Sequence, residues 1–146
     1  MECIVPDFKL QQQRNQLMNN PRKVLLVEND EFTRYMMREI ITALGVEVGI
    51  AENGQTCIDM VSSSPSEYGL ILMDLHMPLL SGIDATKKIR EAPMNPPNNV
   101  PIIAVTADAA YHDEAIIKKL GMDGFTPKPV SPGRILKIID TFCAAA

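Results

Sequence analysis

The chain has 146 residues, of which 46% are hydrophobic and 22% charged, and its formal net charge is −4 at pH 7. This apolar content is enough for one folded domain and too high for a disordered chain. The negative charge, with no cluster of Lys and Arg, argues against a nucleic-acid surface, and the apolar runs are too short to span a membrane. We therefore expect a cytoplasmic globular domain that contacts neither nucleic acid nor membrane.

The N-terminal segment differs in composition from the rest of the chain. Residues 1–22 are polar, rich in Gln and Asn, and contain a proline near their end, so we predict an extension or linker. From Lys23 onward, strand patterns alternate with helix patterns, which indicates a parallel sheet with crossover helices. We therefore assign one domain to residues 23–146.

Strands and helices are predicted from the spacing of apolar residues. The five predicted strands are short apolar runs at residues 24–27, 46–50, 70–73, 102–105 and 122–126. The five predicted helices begin after Asp30, Asn53, Gly82, Asp108 and Ser131. Of these, Asp30, Asp108 and Ser131 are candidate N-caps. His112 is interpreted as a surface residue, and the methionines as core residues.

The apolar patterns of the strands also predict their order in the sheet. The first, third and fourth strands are uninterrupted aliphatic runs, as expected for interior strands. The second strand alternates, and the fifth contains Asp123 and Gly124, as expected at the two edges. The predicted fold is therefore α/β and flavodoxin-like, with a doubly wound five-stranded parallel sheet of order 2-1-3-4-5 and five flanking helices.

Polar side chains lie at or just after the ends of four of the predicted strands. Glu28 and Asn29 follow the first strand, Asp74 the third, Thr106 the fourth and Lys128 the fifth. Because the carboxyl ends of parallel strands meet at one edge, these groups are predicted to converge in the crevice where open α/β sheets bind ligands.

These residue types suit the acceptance of a phosphoryl group. A carboxylate such as that of Asp74 can form an aspartyl phosphate, although its own charge repels the incoming oxygens. Magnesium, or another divalent cation such as manganese, offsets this repulsion at a site with one or two carboxylates. Lys128 can place an ammonium beside the transferring group, and the Thr106 hydroxyl can donate a hydrogen bond to it.

The motifs resemble those of the response-regulator receiver family over residues 22–143. The matching elements, in chain order, are Val27-Glu28-Asn29-Asp30, Asp74-x-x-Met77-Pro78-x-x-x-Gly82, Thr106-Ala107 and Lys128-Pro129. The resemblance implies that Asp74 is the phosphoacceptor, that Lys128 senses its charge, and that Thr106 moves toward the phosphoryl group. It also implies a cis peptide bond between Lys128 and Pro129.

The resemblance further implies a set of metal ligands, namely Glu28, Asn29, Asp74 and the backbone carbonyl of His76. The chain departs from the family at Asn29, where a second acidic residue is usual. An amide oxygen can still coordinate magnesium, but one negative charge is lost, so we hypothesise a weaker site than usual. Asp30 is a candidate for compensating this loss, and its competing role is that of an N-cap.

Three further roles are implied by the resemblance. Phe125 occupies the position of the aromatic residue whose rotation accompanies the movement of Thr106, and it is expected at the output surface. His76 and Asp108 each lie two residues after a motif residue, where receivers tune hydrolysis of the acyl phosphate. Two alternatives remain for these side chains: they orient a water molecule, or they simply face solvent.

The implied function is that of a phosphoacceptor signalling domain of a two-component system. The resemblance implies that the domain is not an enzyme, although it assists its own phosphorylation and dephosphorylation. A histidine kinase or a histidine phosphotransfer protein would donate the phosphoryl group, and the chain would then switch conformation to control a partner. The expected output surface comprises the fourth helix, the fifth strand and the fifth helix. A stand-alone regulator and a receiver domain of a hybrid kinase both fit.

Two other functions fit part of the pattern. Asn29 suggests a receiver-like protein-binding module that is not phosphorylated. A phosphohydrolase of the haloacid-dehalogenase type also uses an aspartyl nucleophile with Thr, Lys and magnesium. Such an enzyme normally has a second Asp where this chain has His76, and the chain has no room for a cap domain.

Overall fold

The structure of the protein is a computed structural model that describes residues 23–143. The predicted extension at residues 1–22 lies outside the described residues, as does the end of the assigned domain at residues 144–146. Across the described range, no helix combines the length and the apolar character needed to cross a bilayer.

Five parallel strands form a single sheet. They are β1 (Lys23–Val27), β2 (Val48–Ala51), β3 (Tyr68–Asp74), β4 (Ile102–Thr106) and β5 (Gly124–Pro127). Their order is β2-β1-β3-β4-β5, so the predicted order is confirmed. The interior strands β3 and β4 are buried along their whole length, because helices cover both faces of the sheet. β2 begins two residues later than predicted and is only partly buried, as expected at an edge.

Five α-helices, four between successive strands and one after β5, complete the predicted flavodoxin-like fold. They are α1 (Glu31–Ala43), α2 (Gly54–Ser63), α3 (Gly82–Arg90), α4 (Glu114–Lys119) and α5 (Pro132–Phe142), and a short 3-10 helix covers Ala109–Tyr111. The predicted N-caps Asp30 and Ser131 are confirmed, because their side chains accept hydrogen bonds from the backbone of Thr33 and Arg134.

Two apolar clusters fill the two faces of the sheet. Because successive strand residues point to opposite faces, β1 contributes Leu25 and Val27 to one cluster and Val24 and Leu26 to the other. The first cluster includes residues of α2, α3 and α4, and the second includes residues of α1 and α5. The carboxyl ends of the strands therefore open onto one rim between two helical layers.

The segment between β4 and α4 differs from the prediction. Asp108 does not cap α4, because its carboxylate accepts a hydrogen bond from the N–H of Ala110 at 3.0 Å and begins the 3-10 helix. The chain extends again at Asp113, which caps α4. The prediction was wrong because an Asp suits a cap at either position, and apolar spacing marks only the later part of this segment.

Two predictions about burial were also wrong. His112, predicted to be a surface residue, is half-buried, because its ring packs on β5. Two methionines predicted to lie in the core are exposed, Met36 on α1 at 41% and Met94 in the loop before β4 at 62%. Phe32, which lies beside Met36 on α1, is 69% exposed. α1 buries only Met37 and Ile41 against the sheet, so its outer face carries apolar side chains.

Candidate functional site

Four of the five side chains predicted to converge, those of Glu28, Asp74, Thr106 and Lys128, lie at one rim of the sheet. Glu28 follows β1, Asp74 ends β3, Thr106 ends β4, and Lys128 follows β5. In the strand register Asp74 lies opposite Val105, so Thr106 is one residue further along the neighbouring strand. Glu28, Asp74 and Thr106 are all buried despite being polar. The predicted cis peptide bond between Lys128 and Pro129 is confirmed.

The ammonium of Lys128 contacts two buried carboxylates. Its Nζ lies 2.8 Å from Oε1 of Glu28 and 3.6 Å from Oδ2 of Asp74. Only 1% of the Glu28 side chain and 10% of the Asp74 side chain are exposed. Buried charges of this kind are stable only when they are paired, so each carboxylate depends on the lysine.

Asp74 is weakly stabilised as an anion. Burial and the neighbouring charge of Glu28 raise the pKa of Asp74 to about 6 from the usual 3.8, and a hydrogen bond with Glu28 adds to this rise. The charge of Lys128 and the backbone N–H of His76 act in the opposite direction. Two carboxylates with one ammonium leave an excess of negative charge, which a bound cation would relieve.

The loop after β1 is held by an arginine that sequence reasoning missed. Nη1 of Arg34 donates to the backbone carbonyl of Glu28 at 3.0 Å and lies 3.4 Å from the carbonyl of Asn29. Its Nη2 lies 3.3 Å from a carboxylate oxygen of Glu52. The one available signal was the place of this arginine one turn after the N-cap of α1. Arg34 therefore fixes the backbone of two residues that the resemblance implies are metal ligands.

Asn29 and Asp30 have different surroundings at this rim. Asn29 is exposed, whereas the carboxylate of Asp30 accepts hydrogen bonds from the N–H of Thr33 at 2.8 Å and from its hydroxyl at 2.6 Å. These bonds hold the pKa of Asp30 below its usual value. Asp30 therefore acts as the N-cap, which was one of its two open roles.

A glycine closes the loop that follows Asp74. The N–H of Gly82 donates to the carbonyl of Leu75 at 3.0 Å, and a Cβ at Gly82 would overlap the backbone oxygen of Asp74. Glycine is needed here because the backbone approaches too closely for any side chain. This contact gives the Asp74-x-x-Met77-Pro78-x-x-x-Gly82 motif a structural reason, since it fixes the end of β3 against the start of α3.

Thr106 is held by the segment that follows it. Its Oγ1 accepts a hydrogen bond from the N–H of Asp108 at 3.0 Å. Its backbone carbonyl accepts one from the N–H of Lys128 at 3.1 Å and lies 2.8 Å from Nε2 of His112. A carbonyl can only accept, so Nε2 of His112 carries the hydrogen. Sequence reasoning missed His112, because an isolated histidine in a loop gives no signal of this contact.

His76 and Asp108 form one unit at the rim. Nε2 of His76 lies 2.8 Å from Oδ2 of Asp108, and this bond holds the pKa of Asp108 below its usual value. The ring of Tyr111 meets that of His76 edge-on, with 5.8 Å between centroids. The side chains two residues after Asp74 and two after Thr106 are thus joined to each other, although the His76 side chain is 59% exposed.

Phe125 lies on β5 and is half-buried. Its ring stacks on that of His112, with 5.5 Å between centroids and 7° between planes, and its carbonyl accepts a hydrogen bond from Arg134 at 3.1 Å. Phe125 also lines a groove of about 250 Å³ over β5, which includes charged residues of both signs such as Glu114 and Lys137. The position is therefore close to the surface formed by α4, β5 and α5.

The donor set at the rim fits a hard divalent cation. Within residues 23–143 there is no cluster of three or more His, Cys, Asp and Glu side chains that could hold a metal ion. The rim instead offers the buried carboxylates of Glu28 and Asp74, and the exposed Asn29 with its amide follows Glu28 directly. Magnesium suits a site with few protein ligands, because it keeps several water molecules.

The chain is similar to known proteins of two kinds, one about as long as this chain and one far longer. Hybrid signal transduction histidine kinase I of Dictyostelium discoideum is 36% identical over 124 residues, which are 83% of this chain but only 7% of that protein. The polar-differentiation response regulator DivK of Brucella anthropi is 32% identical over 126 residues, which are 86% of this chain and 99% of that protein. The chain thus spans nearly all of one relative and a small part of the other.

Solved structures agree with these relatives. The receiver domain of a sensor histidine kinase from Pseudomonas aeruginosa, with a magnesium ion in its active-site cleft, matches at a TM-score of 0.74 and 27% identity, covering 86% of this chain and 98% of that one. A Saccharomyces cerevisiae response-regulator receiver domain, crystallised with a histidine phosphotransfer protein, matches at a TM-score of 0.71 and 27% identity. The match covers 86% of this chain and 92% of that one.

The family model for the response regulator receiver domain matches residues 24–140. The hydrolase and the unphosphorylated binding module gain no support from these comparisons. With its motifs, its sheet order and this match, the chain belongs to the response regulator receiver domain family and is a receiver domain of two-component signalling.

Proposed function

We propose that Asp74 accepts a phosphoryl group from the phosphohistidine of a histidine kinase or of a histidine phosphotransfer protein. A carboxylate oxygen of Asp74 attacks phosphorus, and the new O–P bond forms as the P–N bond breaks. The donor imidazole leaves and takes up a proton from solvent. The chain is thus a phosphoacceptor that assists its own phosphorylation and later loss of the group.

The position of Lys128 carries this proposal. Its Nζ lies 3.6 Å from Asp74 while it pairs with Glu28 at 2.8 Å, so it can bond an oxygen of a phosphoryl group on Asp74 without leaving the rim. The hydroxyl of Thr106, on the adjacent strand, can donate to a second oxygen. The phosphoryl group then favours whichever conformation brings these donors closest.

We further propose that Glu28, Asn29, Asp74 and the backbone carbonyl of His76 hold magnesium. When bound, the cation offsets the negative charge of the carboxylates and of the incoming phosphoryl oxygens. The magnesium ion in the cleft of the Pseudomonas receiver domain supports this assignment. Arg34 would serve the site by fixing the carbonyls of Glu28 and Asn29.

The surface beside Asp74 suits a protein donor. On α1, Phe32, Tyr35 and Met36 are 69%, 55% and 41% exposed, which is unusual for such large apolar side chains. Phe32 and Met36 border a groove of about 350 Å³ that extends to Lys128 and Pro129. A donor seated there would lie next to the lysine that contacts Asp74. The yeast receiver domain bound to a histidine phosphotransfer protein supports a donor of this kind.

The output is proposed to run through Phe125 to a downstream protein at the face formed by α4, β5 and α5. Phe125 is half-buried and lines the groove on that face, so a change in its ring would alter the surface. His76 and Asp108 are proposed to set the lifetime of the acyl phosphate together, since they are bonded to each other.

Incubation with acetyl phosphate and magnesium, followed by intact mass spectrometry, tests the proposal. We expect the chain to gain the mass of one phosphoryl group, and the gain to disappear in Asp74→Asn or with EDTA. A wild-type chain that stays unmodified would favour the binding module. Steady turnover of phosphate esters would favour the hydrolase.

A further inference from the structure

One histidine outside all the motifs contacts both residues that the family resemblance assigns to the switch. We infer that His112 is the positioning residue that couples Thr106 to Phe125, and so carries a change at the phosphoacceptor rim to the output face. This inference rests on the proposed function, because it assigns the contact through which that switch reaches the surface.

Two contacts of one planar ring carry the inference. At its edge, Nε2 of His112 donates a hydrogen bond to the carbonyl of Thr106 at 2.8 Å. The flat face of the same ring stacks on Phe125, with 7° between the two ring planes. In the sheet, Phe125 lies opposite Ala104 and not opposite Thr106, so strand pairing alone does not join the two residues. His112 provides the direct link between them.

A displacement of Thr106 has to reach this ring. The carbonyl of Thr106 also accepts a hydrogen bond from the N–H of Lys128 at 3.1 Å, so it belongs to the segment that responds to the phosphoryl group in the proposed function. Hydrogen bonds weaken steeply with distance and angle. If the carbonyl moves, the imidazole must follow or lose its bond, and either change alters the stack on Phe125.

The loop that carries His112 is anchored at the rim on its other side. The N–H of Asp108 donates to Oγ1 of Thr106 at 3.0 Å, and the Asp108 carboxylate bonds His76 at 2.8 Å. Tyr111, next to His112 in sequence, meets the ring of His76 edge-on. The segment between β4 and α4 is thus tied to the phosphoacceptor rim at one end and to β5 through His112 at the other.

The chain is well suited to a spectroscopic test, because it contains only two histidines and four phenylalanines. Beryllofluoride with magnesium serves as a stable phosphoryl analogue, and its binding is followed by fluorine NMR. Ring-labelled phenylalanine reports the environment of Phe125, whose signals are assigned with Phe125→Leu. In the wild-type chain we expect beryllofluoride to shift these signals.

Two variants separate the two contacts of His112. His112→Phe keeps a ring for the stack and removes the N–H donor, whereas His112→Gln keeps a donor and removes the ring. We expect both to bind beryllofluoride within about fivefold of wild type, the equivalent of one hydrogen bond, and to lose most of the Phe125 shift. The exposed Lys119→Gln on α4 serves as the matched control and should keep the full shift.

Variants that bind beryllofluoride and keep the wild-type Phe125 shift would overturn the coupling, even if their melting temperature falls. A wild-type chain that does not bind beryllofluoride would instead overturn the proposed function, and the coupling with it. Nitrogen NMR of the His112 ring tests the inference in the wild-type chain, without any substitution. The ring nitrogens of His112 should show hydrogen on Nε2 and should shift when beryllofluoride binds, and unchanged nitrogen shifts would overturn the inference.

Discussion

Lys128 is paired with Glu28, with Nζ 2.8 Å from Oε1, at a point where the carboxylate is 1% exposed. The same ammonium lies 3.6 Å from Asp74. The lysine therefore has a structural role before any phosphoryl group arrives, because it is the counter-ion of a buried acid. Stability and signalling are expected to share this residue.

Replacing Lys128 with Gln should lower the free energy of unfolding by about 2 kcal/mol, because it leaves Glu28 buried without its counter-ion. Adding Glu28→Gln should restore part of that loss, since the second change removes the unpaired charge. Urea denaturation of the metal-free proteins measures both effects. A double variant less stable than Lys128→Gln alone would contradict this account of the pair.

Asp74→Asn should stabilise the metal-free protein near neutral pH. The folded pKa of Asp74, about 6, lies above the usual 3.8, so its contribution to stability is full at low pH and is lost as pH rises through about 6. The uncharged variant does not undergo this loss, so it should be more stable than wild type near pH 7 by about 1 to 2 kcal/mol. This is less than the full pKa shift would give, because solvent that reaches the carboxylate screens its charge. Thermal unfolding across pH should show the advantage fading toward pH 4, and a constant difference would contradict it.

Asn29→Asp should tighten magnesium binding by about tenfold, because the variant adds one negative charge that attracts the cation. A tenfold change in affinity corresponds to about 1.4 kcal/mol of binding free energy. The measurement is the rise in melting temperature during a magnesium titration. Asn99→Asp makes the same change of charge in the loop before β4, away from the rim, and should leave the affinity unchanged. Equal affinities for wild type and Asn29→Asp would defeat the hypothesis of a weakened site.

Gly82→Ala should destabilise the fold by about 1 to 3 kcal/mol, since its Cβ would overlap the backbone oxygen of Asp74. Gly133→Ala in the first turn of α5 is the matched control, because a Cβ there meets no atom within 4 Å. That control should be neutral or stabilising by up to about 1 kcal/mol. Chemical denaturation compares the two, and equal effects would show that the close approach at Gly82 is not limiting.

The sequence was sufficient to predict the sheet order and the convergence of Glu28, Asp74, Thr106 and Lys128. Both depend on short-range patterns, since buried strands show as apolar runs and parallel strands place their carboxyl ends on one rim. The start of α4 was harder to predict, because Asp108 and Asp113 are equally good caps. Which one begins the helix depends on the 3-10 turn between them.

Arg34 and His112 could not be predicted for a different reason. Their partners are backbone carbonyls and a ring on another strand, and these contacts leave no periodic trace in the sequence. Met36 was misplaced because helical spacing alone does not show how much of α1 the sheet covers. Such contacts become visible only once the rim is assembled in three dimensions.

The most direct test of the account is to locate the phosphoryl group itself. The chain is mixed with a phosphorylated histidine phosphotransfer protein and magnesium, the acyl phosphate is reduced with borohydride, and the modified residue is located by peptide mass spectrometry. We expect homoserine at position 74 in place of Asp74 and at no other carboxylate. Transfer to another residue, or no transfer while Asp74 is intact and the chain is folded, would contradict the assignment of Asp74 as the phosphoacceptor.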